Sequence, residues 1–157
     1  MIQQRACGHS RAGFTLLELL IVLAIILVIA AMVVPNLIGT QVTANIRVTQ
    51  ATIKSSENVA KMYATDHDAS YFVGSGQEAW QAFVTPEPYR NGQLPPYYEE
   101  PPVDAWGNVL QYEWDGKGHS KVNNALKPAI WSFGPNGQDD AGSGDDINNW
   151  TSAQSGR

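Results

Sequence analysis

Gly13 to Pro35 read GFTLLELLIVLAIILVIAAMVVP, and this stretch decides the fold of the chain. Phe14 to Val34 contain 21 residues, of which fifteen are Phe, Leu, Ile or Val and one, Glu18, is charged. A helix of that length measures about 30 Å, the thickness of the hydrocarbon core of a bilayer. Its apolar side chains favour insertion by about 5–9 kcal/mol, whereas one carboxylate opposes it by roughly 3 kcal/mol. The stretch is therefore predicted to span a membrane, and the charge at Glu18 needs an explanation.

The residues outside the apolar run limit the topology and the function. Arg5 and Arg11 precede the run, so the positive-inside rule predicts a cytoplasmic N-terminus and an exported remainder. After a long helix, the 157-residue chain retains enough sequence for one small domain. Its net charge of −5 argues against a nucleic-acid partner. The single cysteine, Cys7, also precedes the run, so the exported part is predicted to have neither a disulfide nor a cysteine metal site.

Two positions for proteolytic processing compete. In a conventional secretory signal the apolar run is removed by a cut near Ala30 or Ala31. In the alternative, the cut falls after Gly13 and the run stays in the mature protein. Glu18 lies inside the run, and helical patterning continues beyond it, which favours the second position.

The segment Arg11-Ala-Gly-Phe-Thr-Leu-Leu-Glu18 resembles the signal of type IV prepilins. The resemblance implies that a prepilin peptidase cleaves between Gly13 and Phe14 and methylates the new amine of Phe14. It also implies that Glu18 pairs with the Phe14 amine of a neighbouring subunit during assembly, since both charges are unfavourable when alone in lipid. The alternative is that Glu18 only reaches the membrane interface from the helix end.

The helix is predicted to continue beyond the membrane. Pro35 is expected to kink or locally melt it, and the helix is expected to end near Thr65. The apolar or small residues of this part recur mostly at three- and four-residue steps, which predicts one buried face; they are Ile38, Val42, Ile46, Thr49, Ile53, Ala60 and Tyr63. The charged residues were assigned to the other faces; they are Arg47, Lys54, Glu57 and Lys61.

Residues 66–157 are predicted to form an α+β domain in which a small antiparallel sheet packs on the long helix. A short helix is expected from Gln77 to Val84, followed by an extended proline-rich loop from Thr85 to Pro102. Alternation of Leu110, Tyr112 and Trp114 with polar residues predicts a strand. Further strands are expected at Ala129–Phe133 and near Lys121–Leu126. The predicted organisation is a leader at 1–13, a helix at 14–65 with its membrane part at 14–34, and a periplasmic domain at 66–157.

Three motifs of the domain resemble the major pseudopilins of type II secretion systems, within the type IV pilin-like family. They are PPVDAWGNVLQY at 101–112, IWSFGPNG at 130–137 and an acidic glycine-rich loop that ends in DINNW at 146–150. Ala105 departs from the proline usual in that family. The resemblance implies a subunit of the inner membrane that forms a helical homopolymer, the pseudopilus, which pushes folded proteins across the outer membrane. It further implies contacts with minor pseudopilins and with an inner-membrane assembly platform.

The acidic loop is a candidate calcium site. Calcium takes about six to eight oxygen ligands in loose geometry, and this loop is rich in carboxylates and glycines. Composition alone favours a solvated turn, whereas the resemblance implies calcium. The candidate ligands are Phe133 through its carbonyl, Asn136, Asp139, Asp140, Asp145 and Asp146. Asn136 stands where the family has an aspartate, and the loop is about one residue shorter.

The sequence contains no recognisable catalytic constellation. His9, His67 and His119 are scattered, and phosphate-binding and zinc-protease motifs are missing from the sequence. We therefore expect a structural subunit and not an enzyme. Two alternatives remain: a type IV pilin for adhesion or motility, and a secreted calcium-dependent binding module.

Overall fold

The structure is a computed structural model that describes residues 14–90 and 92–151, with the backbone alone for 35–38. The predicted leader, including Gly13, lies outside the described residues. The chain forms two compact units that divide between Thr40 and Gln41. Helix α1, Leu16–Asp66, contributes to both and ends one residue beyond the predicted position.

The first unit contains the apolar half of α1. Its large side chains from Phe14 to Val34 are exposed on all sides, which is the pattern of a helix that meets lipid or other helices. Among the described residues, α1 is long and apolar enough to cross a membrane. The backbone stays α-helical through Pro35 and Gly39, so the predicted local melting at Pro35 does not occur, while the alternative of a kink stays a prediction. A proline removes one intrahelical hydrogen bond, and the flanking turns retain theirs.

The second unit packs the rest of α1 against the domain. Thr49, Ile53 and Ala60 of the predicted stripe are buried, while Ile46 and Tyr63 are half-buried. Val42 of the predicted stripe is exposed. The side chain of Ile38, where the predicted stripe begins, lies outside the described part of the chain. The assignment of Glu57 to an outer face is wrong as well, since this side chain is buried beside the stripe.

The domain carries a four-stranded antiparallel sheet in the order β1-β2-β3-β4. The strands are β1 Gly74–Ser75, β2 Gln111–Trp114, β3 Ala129–Ser132 and β4 Ile147–Asn148. The central pair aligns Tyr112 with Ile130. The predicted α+β fold and its two main strands are therefore confirmed.

The strand predicted near Lys121–Leu126 does not form. An isolated bridge joins His119 and Val122, and Asn124 then adopts φ 55°, a left-handed conformation that ends extended structure. The outer strands are instead β1 and β4. Each has two residues, too few to show a period of alternation.

A short helical segment closes the core. It consists of a 3₁₀ turn, Gln77–Trp80, and helix α2, Gln81–Val84, as predicted. Trp80, Phe83 and Tyr112 are fully buried and contact one another, with ring centroids 5.3–5.8 Å apart. Burial of each ring contributes about 1.5–3 kcal/mol. The indole of Trp80 donates to the carbonyl of Leu110 at 2.7 Å, so the polar end of this ring is satisfied.

Candidate functional site

The N-terminal end of α1 is closed by a capping box. The amide and hydroxyl of Thr15 both donate to Oε2 of Glu18 at 2.9 Å, and the amide of Glu18 donates back to the Thr15 hydroxyl at 3.2 Å. This reciprocal pairing satisfies amides that an α-helix leaves without intrahelical partners. A carboxylate has about four acceptor positions, so Glu18 retains capacity for a further donor.

The role of Thr15 in holding Glu18 was not predicted from the sequence. The signal was present, because Thr-x-x-Glu before an apolar run is the sequence pattern of a capping box. Phe14, directly before it, is exposed. The structure therefore places two of the predicted assembly residues, Phe14 and Glu18, at the same end of one exposed helix; the third, Pro35, lies within α1.

Three of the predicted calcium ligands meet in the acidic loop. The amide of Asn136 donates to Oδ2 of Asp145 at 3.1 Å, and its side-chain nitrogen bonds both Asp145 and, at 3.3 Å, Asp140. Asn136 thus bridges two carboxylates that would otherwise repel each other. Phe133, the predicted carbonyl ligand, is half-buried at the first position after β3.

Asp146 differs from the other aspartates of the acidic loop because it is buried. Its Oδ2 accepts from the amide of Gly142 at 2.7 Å, whereas Oδ1 has no hydrogen-bond partner among the described residues. Burial raises the pKa of Asp146, and the charges of Asp139 and Asp140 raise it further. A buried carboxylate oxygen without a donor is unfavourable unless a cation or a proton reaches it.

The chemistry of the acidic loop fits a hard cation in part. Its oxygen donors suit calcium, and the buried Oδ1 of Asp146 has no hydrogen-bond partner among the described residues, while the charges of Asp139 and Asp140 act on this carboxylate. However, among residues 14–90 and 92–151, no group of three His, Cys, Asp or Glu side chains comes close enough to hold a metal ion. Asp139 is also engaged, since Oδ1 accepts from the indole of Trp131 at 3.3 Å. Coordination would therefore need amide and backbone oxygens beside two carboxylates.

The acidic loop is fixed against the sheet by Trp150. A Cβ at Gly142 would lie 2.1 Å from the Trp150 ring, so only glycine fits there. Gly142 also has φ 83°, and its carbonyl accepts from the Asn148 side chain at 2.9 Å. The loop geometry around Asp146 thus depends on a close contact that the sequence did not reveal.

A second charged centre lies where α1 meets the sheet. Glu57 is 4% exposed and accepts from Lys54 at 3.3 Å, Lys61 at 2.8 Å and Lys127 at 3.0 Å. Burial alone would raise the pKa of Glu57, but hydrogen bonds from Lys61 and Lys127 and the charges of Lys127 and Lys54 lower it to about 2. The pairs of Glu57 with Lys54 and Lys61 could be expected from the sequence, because residues three and four positions apart are neighbours on a helix. The pair with Lys127 could not, because Lys127 is 70 residues away in sequence.

Comparisons with known proteins identify the family. Residues 8–34 match the prokaryotic N-terminal methylation motif, and residues 36–150 match the family described as type II secretion system (T2SS), protein G. The chain belongs to the type II secretion system protein G family. No solved structure matches it.

Several curated relatives in the protein G family cover nearly the whole chain. Type II secretion system core protein G of Pectobacterium carotovorum is 35% identical, with 94% of each chain covered. The proteins of the same name from Aeromonas hydrophila and Vibrio cholerae are 35% and 36% identical, over 90% of this chain and 94% and 93% of their own. The interpretation as a major pseudopilin of type II secretion, a family of structural subunits, is confirmed.

Proposed function

We propose that this pseudopilin is first anchored in the inner membrane, with its N-terminus in the cytoplasm and its domain in the periplasm. It then polymerises into a pseudopilus. The observation that carries the proposal is the apolar half of α1, whose large side chains are all exposed. Such a helix needs lipid before assembly and the helices of other copies afterwards. Filament growth would push folded proteins across the outer membrane.

Processing and assembly would both involve the N-terminal end of α1. A prepilin peptidase would cut between Gly13 and Phe14 and methylate Phe14. In the single subunit, Glu18 is held by Thr15. On assembly, Glu18 would accept from the Phe14 amine of a neighbour, because pairing lowers the free energy of both charges in an apolar environment. Minor pseudopilins and an inner-membrane assembly platform are the further partners proposed.

The test of this function is a deletion of the gene in its own host, complemented by variants of the full chain. We expect deletion to block release of folded proteins into the medium and the native chain to restore it. Glu18→Gln, which keeps the size of the side chain but removes its charge, should fail to restore release. Glu78→Gln, at an exposed glutamate of the domain, is the control and should restore it. Normal release from the deletion strain would refute the proposed function.

We further propose that the acidic loop binds calcium. As the loop stands, no three of its carboxylates come close enough to share an ion, so calcium would bind two of Asp140, Asp145 and Asp146 and draw the third towards it. Asn136 and the carbonyl of Phe133 would supply further oxygens. Asp139 would contribute only if it left the Trp131 indole. The support is the unpartnered buried oxygen of Asp146, together with the burial and, to a smaller extent, the charges of Asp139 and Asp140 that raise the pKa of Asp146. A bound cation would neutralise these carboxylates and hold the loop against β3.

Calcium binding is tested by thermal unfolding of the full chain in detergent, with and without EDTA. We expect EDTA to lower the Tm and added calcium to restore it, while Asp145→Ala should remove the response. Asp115→Ala, at an exposed aspartate in another turn, is the matched control. An identical Tm with and without EDTA would rule the site out.

A further inference from the structure

The lysine cluster around Glu57, formed by Lys54, Lys61 and Lys127, carries more positive charge than Glu57 neutralises. Three ammonium groups share one carboxylate, and their side chains remain 65%, 48% and 36% exposed. Lys54, Lys127 and Glu57 also line a pocket of about 180 Å³, together with Asn148 and Asn149. An ammonium has three donors, so each lysine can bind a second acceptor without releasing Glu57. The cluster is therefore suited to an incoming carboxylate.

An exposed pair of carboxylates lies on the proline-rich loop. Glu99 and Glu100 are exposed, and none of the ion pairs among residues 14–90 and 92–151 involves them. The loop is fixed on both sides of the pair. The Tyr98 amide donates to the carbonyl of Phe83 at 3.2 Å, and the carbonyl of buried Pro102 accepts from Leu110 at 2.9 Å. A pair held in this way loses little conformational entropy on docking.

The lysine cluster and the glutamate pair lie on opposite flanks of α1. Successive helix residues are rotated by about 100°, so relative to Ile53 the side chain of Ser56 lies about 60° to one side and that of Glu57 about 40° to the other. Ser56 shares a hydrogen bond of 2.9 Å with Tyr98, next to Glu99. Glu57 contacts Lys127 on the opposite flank. The helix therefore separates the two charged groups within one chain.

We propose that the lysine cluster of one copy docks the Glu99–Glu100 pair of a second copy. The contact joins two different surfaces head to tail, and such a contact can propagate along a filament. It also opposes the repulsion between copies that each carry a net charge of −5. The inference rests on the proposed function, since it names a contact within the polymer.

The acidic loop is the less suitable partner for the lysine cluster. Asp145 is bonded by Asn136, and Asp139 by the Trp131 indole. Asp146 is buried. Glu99 and Glu100, which are exposed, are thus better placed than these aspartates to reach another copy.

The first test is charge reversal in the full chain, assembled in its own host. Glu99→Lys with Glu100→Lys should reduce the filaments recovered by shearing about tenfold, because like charges that face each other across the contact oppose association. Adding Lys54→Glu should restore much of the yield. Lys54 is the most exposed lysine of the cluster, so Glu57 keeps Lys61 and Lys127. Glu87→Lys, on the same loop, is the control and should assemble normally.

The second test is a disulfide between copies. One chain would carry Lys54→Cys and another Glu99→Cys, both with Cys7→Ser, the only native cysteine. We expect disulfide-linked dimers in filaments from cells that produce both chains, and none from either chain alone. If the cysteine chains form filaments without these dimers, or if the Glu99→Lys, Glu100→Lys variant assembles normally, the proposed docking is overturned. Neither outcome affects the proposed function. A native chain that never forms filaments would overturn the proposed function.

Discussion

Glu57 should stabilise the junction between α1 and the sheet, and Glu57→Gln measures this contribution. The pKa of Glu57 falls from 4.5 to about 2 on folding, a change that at about 1.4 kcal/mol per pKa unit corresponds to roughly 3 kcal/mol before screening. Because the three lysine side chains are partly exposed, water weakens the pairs. We therefore expect Glu57→Gln to lower the free energy of unfolding at pH 7 by about 1–2 kcal/mol.

The sign of the pH dependence follows from the lowered pKa. The folded protein holds Glu57 ionised at pH values where the unfolded chain binds a proton, so the stabilisation is fully present above about pH 4.5. It should decline as the pH falls towards 2. The difference between the native chain and Glu57→Gln should therefore shrink across this window.

The assay is denaturant unfolding of the full chain in detergent, followed by tryptophan fluorescence at pH 7, 4 and 2.5. Glu78→Gln, at an exposed glutamate, controls for the loss of any carboxylate and should have no measurable effect. Lys127→Gln should destabilise more than Lys54→Gln, because Lys127 joins the helix to the segment before β3. Equal stability of Glu57→Gln and the native chain at pH 7, or a difference that does not change with pH, would refute the reasoning.

Three further substitutions test the domain. Gly142→Ala should destabilise the chain by about 1–3 kcal/mol, because the new Cβ meets Trp150 and φ is positive; faster proteolysis of the acidic loop would show it. Asp104→Ala should lower the unfolding free energy by about 2–4 kcal/mol, since this buried carboxylate accepts from Trp106, Asn108 and Ser132; denaturant unfolding measures it. Asp146→Asn should raise the Tm in EDTA, because it removes a buried charge with a raised pKa, and should abolish the calcium response.

Each of these substitutions has an outcome that contradicts its reasoning. Unchanged proteolysis of Gly142→Ala would mean that Trp150 does not hold the loop. Asp104→Ala should lower the free energy of unfolding more than Asp115→Ala, which changes an exposed aspartate. If the two losses are equal, the hydrogen bonds of Asp104 do not stabilise the domain. A lower Tm of Asp146→Asn in EDTA would show that the buried charge is already compensated.

The long periodic segments of the sequence predicted most of the fold. The apolar run, the end of α1 near Thr65, the helix at Gln77–Val84 and the strand that contains Tyr112 all carry local signals. The strands at Gly74–Ser75 and Ile147–Asn148 carry none, because two residues exist as a strand only through their partners. Whether these two strands form is determined by their pairing with β2 and β3 in the tertiary structure.

The candidate sites were predictable as residue types and not as arrangements. Glu57 was assigned to an outer face because charged side chains usually lie there. Its burial is favoured by Lys54 and Lys61 on the same helix and by Lys127, which is 70 residues away in sequence. The loop aspartates were named from the sequence, but the bridge from Asn136 to Asp145 and the free oxygen of Asp146 depend on how the loop folds.

If Phe14 to Val34 stay in the mature subunit and form the filament core, the N-terminal mass of the chain recovered from sheared filaments shows it directly. We expect a chain that begins at Phe14 and carries one methyl group on its amine. A mature chain that begins near Ala31 or Met32 would contradict it, because the exposed apolar helix would then be missing from the filament.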